Sequence, residues 1–94
     1  MRIHLSPYDL PENFEPSERV AVDTEAMGLC YRRDRLCLVQ VSNGDNEVYL
    51  VHFPTPDYTR SPRLVEMLKA SHIRKIFHFA RFDVGILQYS FNIH

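Results

Sequence analysis

The chain has 94 residues, which is room for one small domain or for part of a larger one, and it can bury only a modest core. At 45% hydrophobic and 24% charged residues, the composition excludes a collagen-like, disordered or low-complexity chain. The formal net charge of −1 excludes a general attraction to nucleic acid, so binding to a polyanion would need a local basic cluster or metal ions.

The first half of the sequence predicts three strands. Three prolines make MRIHLSPYDLPENFEPSE an extended lead-in, with room for an edge strand around residues 3 to 5. RVAVDTE then predicts a buried strand, LCLVQVSNG a central strand and EVYLVHF a third. The turn sequence NGDN between the last two indicates a hairpin, so the three strands should form an antiparallel meander.

The second half predicts helix, strand and helix. Ser61 and Pro62 provide an N-cap and a first-turn proline for an amphipathic helix over residues 62 to 71. RKIFHF predicts a short strand. ARFDVGILQYSF predicts a helix with apolar residues on much of its surface, so other segments should pack against it. The order β-β-β-α-β-α indicates a mixed α/β domain without internal repeats.

The cysteines and the absence of export signals favour a cytoplasmic protein. The sequence shows neither a signal peptide nor an apolar run long enough to span a bilayer. We therefore expect Cys30 and Cys37 to be free thiols. They form no close C-x-x-C pair, and His72 and His78 lie far along the chain, which disfavours a role in metal binding.

Two carboxylates at the end of the first buried strand are candidate metal ligands. Asp23 and Glu25 are two positions apart, so in a strand their side chains point to one face. Like charges this close repel unless a cation lies between them, and Mg²⁺ or Mn²⁺ would take such oxygen ligands. The alternative is that the strand ends at Val22 and that both acids are solvated turn residues.

A second candidate segment is KIFHFARFDVGIL. Asp83 falls in the first turns of a predicted helix, just past a short strand, where open α/β sheets collect ligands. Read alone, Asp83 could equally be an ordinary acid at a helix start, and His78 a buried, hydrogen-bonded histidine.

Together, VAVDTEAMGL and KIFHFARFD resemble the first and second motifs of the DEDD superfamily of 3′-to-5′ exonucleases, in particular its ribonuclease D group. The resemblance covers roughly residues 15 to 91. It implies a ribonuclease H-like fold, two divalent cations (Mg²⁺ or Mn²⁺) and hydrolysis of single-stranded nucleic acid from the 3′ end, with RNA favoured over DNA, releasing nucleoside 5′-monophosphates.

The resemblance also implies roles for individual residues. Asp23, Glu25 and Asp83 would be catalytic and hold the metal ions. Candidate substrate contacts are Met27, Gly28, His78 and Phe82, although Phe82 is also a natural core residue. Arg32, Arg33 and Arg35 cluster in the loop after the acids, where they could meet a phosphate backbone or simply form a polar turn.

The third motif of the family, Tyr-x-x-x-Asp or His-x-x-x-Asp, is absent from these 94 residues. We therefore expect one partial exonuclease domain over residues 1–94, inactive alone, with uncovered apolar surface through which it could self-associate. The alternative is a non-catalytic remnant that binds nucleic acid or a protein partner. An endonuclease on the same fold is a further interpretation.

Overall fold

The computed structural model describes residues 1–26, 35–77 and 80–93, except for the side chains of residues 80–82. The elements in chain order are β1 (Arg2–Pro7), β2 (Arg19–Ala26), β3 (Leu36–Ser42), β4 (Glu47–His52), α1 (Pro62–Lys69), β5 (Arg74–Phe77) and α2 (Ala80–Phe91). Neither helix of this described part is long and apolar enough to cross a membrane.

The strands form one mixed sheet in the order β1-β4-β3-β2-β5. The pairs β2–β3 and β3–β4 are antiparallel, which confirms the predicted meander. β1 pairs in parallel with β4, and β5 in parallel with β2. The mixed α/β, ribonuclease H-like architecture is therefore confirmed, and the lead-in does contain an edge strand.

One face of the sheet is covered by the two helices. Along β2 the buried residues Val20, Val22 and Thr24 alternate with exposed ones, as expected for a strand with one covered face. The buried side chains of both helices belong to the same hydrophobic core as those of the strands. The members that anchor this core are Val20, Val22, Val39, Val41, Val51, Leu64, Met67, Ile86 and Leu87.

The opposite face carries no helix in the described part of the chain. Register places Leu5, Leu50, Gln40 and Asp23 in one row across four strands of this face. We call it the open face; its residues include Ile3, Leu5, Arg19, Ala21, Asp23, Glu25, Gln40, Leu50, Arg74 and Ile76.

The uncovered apolar surface lies only partly where the sequence predicted it. Of the apolar residues of α2, Ile86 and Leu87 are buried in the core, whereas Tyr89 is 58% exposed. Further exposed apolar residues lie on the open face, where Ile3, Leu5 and Ile76 are 63%, 65% and 50% exposed. The periodicity of a helix identifies an apolar stripe, but it does not tell which side of a sheet the helix will cover.

The start of α1 also differs from the prediction. Ser61 makes no capping hydrogen bond from its side chain; its hydroxyl donates to the carbonyl of Tyr8. The orphan N–H groups of Arg63 and Leu64 donate to the carboxylate of Asp9, at 3.2 and 2.9 Å. Ser61 as a side-chain N-cap is therefore wrong, because an acid 54 residues before Arg63 occupies that role. The helix ends at Lys69, two residues before the predicted end.

Candidate active site

β2 continues through both predicted acids. Asp23 lies opposite Gln40 and Glu25 opposite Leu38 on β3, and the register shifts only between Glu25 and Ala26. Both side chains are exposed on the open face, and Asp23 Oδ1 accepts a hydrogen bond of 2.9 Å from the N–H of Thr24. The alternative that the strand ends at Val22 is therefore wrong, since the acids belong to the paired strand.

Asp83 approaches the same strand from its other side. It lies in the first turn of α2 and is 2% exposed. Its Oδ1 accepts a hydrogen bond from the hydroxyl of Thr24, which is itself buried on the covered face. A position in the first turn places the Asp83 carboxyl group near the positive end of the helix dipole.

The structure thus brings Asp23 and Glu25 together, but it does not bring Asp83 into the same cluster. Side chains alternate along a strand, so the side chain of Thr24 points away from Asp23 and Glu25. Asp83 is hydrogen-bonded to Thr24 and therefore lies on the covered face, opposite the two acids. Among the described residues, no three His, Cys, Asp or Glu side chains lie close enough to share one metal ion. The three-carboxylate site accordingly stays a prediction.

The chemistry of the donors at the end of β2 nevertheless fits a hard divalent cation. Asp23 and Glu25 offer exposed carboxylate oxygens on one face, and neither forms an ion pair with another described residue. Oxygen ligands of this kind suit Mg²⁺ and Mn²⁺. Two like charges facing each other without a cation cost free energy, which a bound divalent ion would remove.

A depression of about 320 Å³ opens beside Asp23 on the open face. Its volume falls at the lower end of the roughly 300–1,000 Å³ usual for ligand sites. The lining residues come from three neighbouring strands: Ala21, Val22, Asp23, Gln40, Ser42, Ile76 and Phe77.

Several predicted contacts lie outside the described residues. These are Met27, Gly28, Arg32, Arg33 and His78, together with Cys30 and the side chain of Phe82. Arg35 is described, and its guanidinium donates to the carbonyl of Phe53 at 2.9 Å, which gives it a structural role.

Thr24 is the site residue that the sequence reasoning missed. It joins the two halves of the candidate site, since it lies between Asp23 and Glu25 and contacts Asp83. The signal was present as a hydroxyl at a position where the strand pattern calls for a buried apolar residue.

The fold and the paired acids on β2 define the class of protein. The chain belongs to the 3′–5′ exonuclease family, whose model matches residues 7–94. No sequence among curated proteins matches significantly. The resemblance noted in the two motifs is therefore confirmed at the level of the family.

Solved structures of Brucella melitensis NrnC are similar to this chain. One matches with a TM-score of 0.88 and 42% identity, over 97% of this chain and 45% of that chain. A structure of the same protein with bound Mg²⁺ gives the same values. A third, bound to pGG, matches with a TM-score of 0.87 and 40% identity, over 99% of this chain and 46% of that chain. The present chain therefore spans less than half the length of these relatives.

Proposed function

We propose that this chain is part of a metal-dependent 3′-to-5′ exoribonuclease of the ribonuclease D type, which releases nucleoside 5′-monophosphates from single-stranded RNA ends. The observation that carries the proposal is the pair Asp23 and Glu25 on one face of β2, with Asp83 hydrogen-bonded to Thr24 between them. The family model supports the reaction class. NrnC structures with Mg²⁺ and with pGG support the metal and the substrate class.

In this proposal Asp23 and Glu25 hold the divalent cations, and Asp83 completes the set from the start of α2. When bound, two cations stabilise the attacking and leaving oxygens of an in-line displacement at phosphorus. The chain's own contribution is to fix the carboxylates. Pairing with β3 holds Asp23 and Glu25 on one face, while Thr24 orients Asp83.

The depression beside Asp23 is the proposed binding site of the terminal nucleotide. It opens on the same face as the two carboxylates, so a phosphodiester lying there would be next to them. Met27, Gly28, His78 and Phe82 remain proposed substrate contacts on the strength of the motifs alone. We place the protein in the cytoplasm on the basis of its sequence.

We further propose that the 94 residues are inactive without a third motif. A Tyr-x-x-x-Asp or His-x-x-x-Asp segment would position the attacking water and complete the first metal site. The sequence of the gene beyond the codon for His94 would show directly whether such a segment follows.

Metal binding tests the proposal without depending on activity. Calorimetry with Mn²⁺ should detect binding to the 94-residue chain. Removing a residue that only hydrogen-bonds a metal ligand weakens metal affinity roughly 10–100-fold, so loss of a direct ligand in Asp23→Asn should weaken Mn²⁺ binding by more than that. Glu12→Gln is the matched control, since Glu12 is an exposed acid that contacts Arg63 away from the site. Equal Mn²⁺ affinity in Asp23→Asn and the unmodified chain would rule out the assignment.

Activity can be tested in a hybrid in which this chain replaces the matched 45% of Brucella melitensis NrnC. With Mg²⁺ or Mn²⁺ the hybrid should shorten 5′-labelled RNA from its 3′ end, and chromatography should identify nucleoside 5′-monophosphates. The unjoined chain should release none. Undiminished hydrolysis by the Asp23→Asn hybrid would refute the catalytic role, and preference for a DNA strand of the same sequence would refute the RNA assignment.

The open face favours a second candidate, a non-catalytic module that binds a partner. Ile3, Leu5 and Ile76 there are at least half exposed, which suits self-association or a protein partner. A chain that forms a defined dimer and binds no Mn²⁺ would favour this function over the exonuclease.

A further inference from the structure

Asp23 has few neighbours that could hold its carboxylate in one orientation. On one side of β2, β5 is paired only as far as Val22, so within the described residues no strand lies beside Asp23 there. On the other side, Gln40 of β3 lies directly opposite Asp23. Oδ1 of the carboxylate accepts a hydrogen bond from the N–H of Thr24, whereas Oδ2 accepts none from the described part of the chain.

Gln40 is the neighbour on β3 that has hydrogen-bond donors to spare. Three residues of β3 flank Asp23 on the open face: Leu38, Gln40 and Ser42. Leu38 is apolar, and the hydroxyl of Ser42 donates to the carbonyl of Glu47 at 2.9 Å. The side-chain amide of Gln40 makes no hydrogen bond to any residue that the structure describes. Of the three flanking residues, Gln40 alone can therefore donate to Asp23.

The position of Gln40 in the sheet also links it to the carboxylate. The open-face row of Leu5, Leu50, Gln40 and Asp23 changes from apolar to polar at β3, next to the acid. Gln40 and Asp23 both line the depression of about 320 Å³. The amide and the carboxylate thus border the same space, in which the proposed reaction takes place.

An amide at this position can reach the carboxylate without neutralising it. The Cβ atoms of directly opposite residues in antiparallel strands lie about 4.5–5.5 Å apart, a gap that a glutamine can close to the ~2.9 Å of a hydrogen bond. Gln40 is exposed, and exposed side chains change rotamer within picoseconds to nanoseconds. A lysine or arginine would pair with the acid and compete with a divalent cation, whereas an amide donates without carrying charge.

We propose that Gln40 is a positioning residue, whose side-chain amide donates to Oδ2 of Asp23 and holds the carboxylate ready to bind a divalent cation. This rests on the proposed exonuclease function and adds to it a residue that acts through Asp23. Carboxylates that bind metals are themselves hydrogen-bonded, and loss of such an outer partner costs roughly 10–100-fold in metal affinity. With the N–H of Thr24 on Oδ1 and the amide of Gln40 on Oδ2, both oxygens are fixed, one from β2 and one from β3.

NMR of the ¹⁵N-labelled chain tests the contact directly. Gln40 and Gln88 are the two glutamines of the sequence, so Gln88→Met alone assigns both sets of side-chain NH₂ signals. Mg²⁺ should shift the signals of Gln40 but not those of Gln88, which lies on α2. The shift should be absent in Asp23→Asn. This measurement does not require a Gln40 variant to fold.

Calorimetry with Mn²⁺ measures what the contact contributes to metal binding. Gln40→Met keeps the length of the side chain but removes its donors, so it should weaken Mn²⁺ binding about 10–100-fold. Gln88→Met is the matched control, because it makes the same substitution at another exposed position, on α2, and it should bind Mn²⁺ as the unmodified chain does. Circular dichroism checks that both variants are folded.

The outcomes separate the role of Gln40 from the proposed function. Full Mn²⁺ affinity in Gln40→Met, together with its loss in Asp23→Asn, would overturn the positioning role and leave the exonuclease proposal standing. Equal weakening in Gln40→Met and Gln88→Met would also overturn the role. A shift of the Gln40 signals with adenosine 5′-monophosphate in EDTA, without a shift with Mg²⁺, would assign the amide to the nucleotide instead. A chain that binds no Mn²⁺ would refute both proposals.

Discussion

The hydroxyl of Thr24 donates to the carboxylate of Asp83, a residue 59 positions further along the chain. Both residues are buried, with exposed fractions of 8% and 2%. The contact links the strand that carries the first motif to the helix that carries the second, so it couples the stability of the fold to the position of a candidate metal ligand.

Removing this hydroxyl should destabilise the protein. Thr24→Val conserves the shape of the side chain but withdraws a donor from a buried carboxylate, at a cost of about 1–3 kcal/mol in the free energy of unfolding. Thr24→Ser keeps the donor and should cost only the ~0.8 kcal/mol of one missing methyl group. Urea unfolding measures both variants. The role assigned to the hydrogen bond fails if the valine variant is as stable as the serine variant.

Asp9 should prove to be the effective cap of α1. Its carboxylate accepts from the N–H groups of Arg63 and Leu64, so Asp9→Ala should cost about 1–2 kcal/mol, the upper range for loss of a helix cap. Asp9→Asn retains an oxygen acceptor and should recover most of that loss. Thermal unfolding followed by circular dichroism compares the variants. If both variants have the same melting temperature as the unmodified chain, the contact of Asp9 with α1 does not stabilise the helix.

Glu47 should make stability depend on pH in the acid range. A hydrogen bond from His4, at 2.9 Å, and the nearby Arg2 lower the pKa of this carboxyl below its usual value near 4.5. Because the pKa is lower in the folded state, the contribution is complete above the unfolded pKa and is lost as pH falls through the folded value.

Urea midpoints measured at a series of acidic pH values test this dependence. Glu47→Gln should flatten the decline in stability below about pH 4.5, relative to the unmodified chain. Glu15→Gln, which alters an exposed acid of the lead-in that forms no ion pair with a described residue, should leave the decline unchanged. Parallel pH profiles for all three proteins would contradict the assignment.

The open face should cause concentration-dependent association of the 94-residue chain. Ile3→Thr/Leu5→Thr removes two exposed apolar side chains while keeping residues that favour strands, so association should require roughly tenfold more protein. Sedimentation equilibrium measures it. Tyr89→Thr changes an exposed side chain on α2 instead and should not alter the association. A weaker effect of the strand variant than of the helix variant would place the interface on the helix side.

The sequence predicted the features of this fold that depend on neighbouring residues. Apolar and β-branched runs predicted β2 and β3, and the turn signal NGDN predicted that β4 follows in a hairpin. Helical spacing predicted α1 and α2, with the end of α1 misplaced by two residues. Contacts between distant segments were not predictable in this way. The parallel pairing of β1 with β4 and the capping of α1 by Asp9 join residues that lie far apart in the sequence.

The same limit applies to the candidate site. The two-residue spacing of Asp23 and Glu25 correctly predicted that they share a face of a strand. Spacing alone could not show that Asp83 would meet Thr24, because that depends on which face of the sheet α2 covers. The family motifs locate the acids along the chain, but packing decides their orientation.

The pairing of β2 changes along its length. From Arg19 to Val22 the strand lies beside β5, and from Ala21 onward it is paired with β3, so that in the described part of the chain Asp23 to Ala26 are paired with β3 only. Pairing on both sides protects the backbone N–H groups of a strand from opening. Amide hydrogen exchange should therefore be slow around Ala21 and Val22, which pair with β3 and with β5. Asp23 directly follows these two residues, so the first candidate carboxylate stands at the end of a firmly held stretch of backbone.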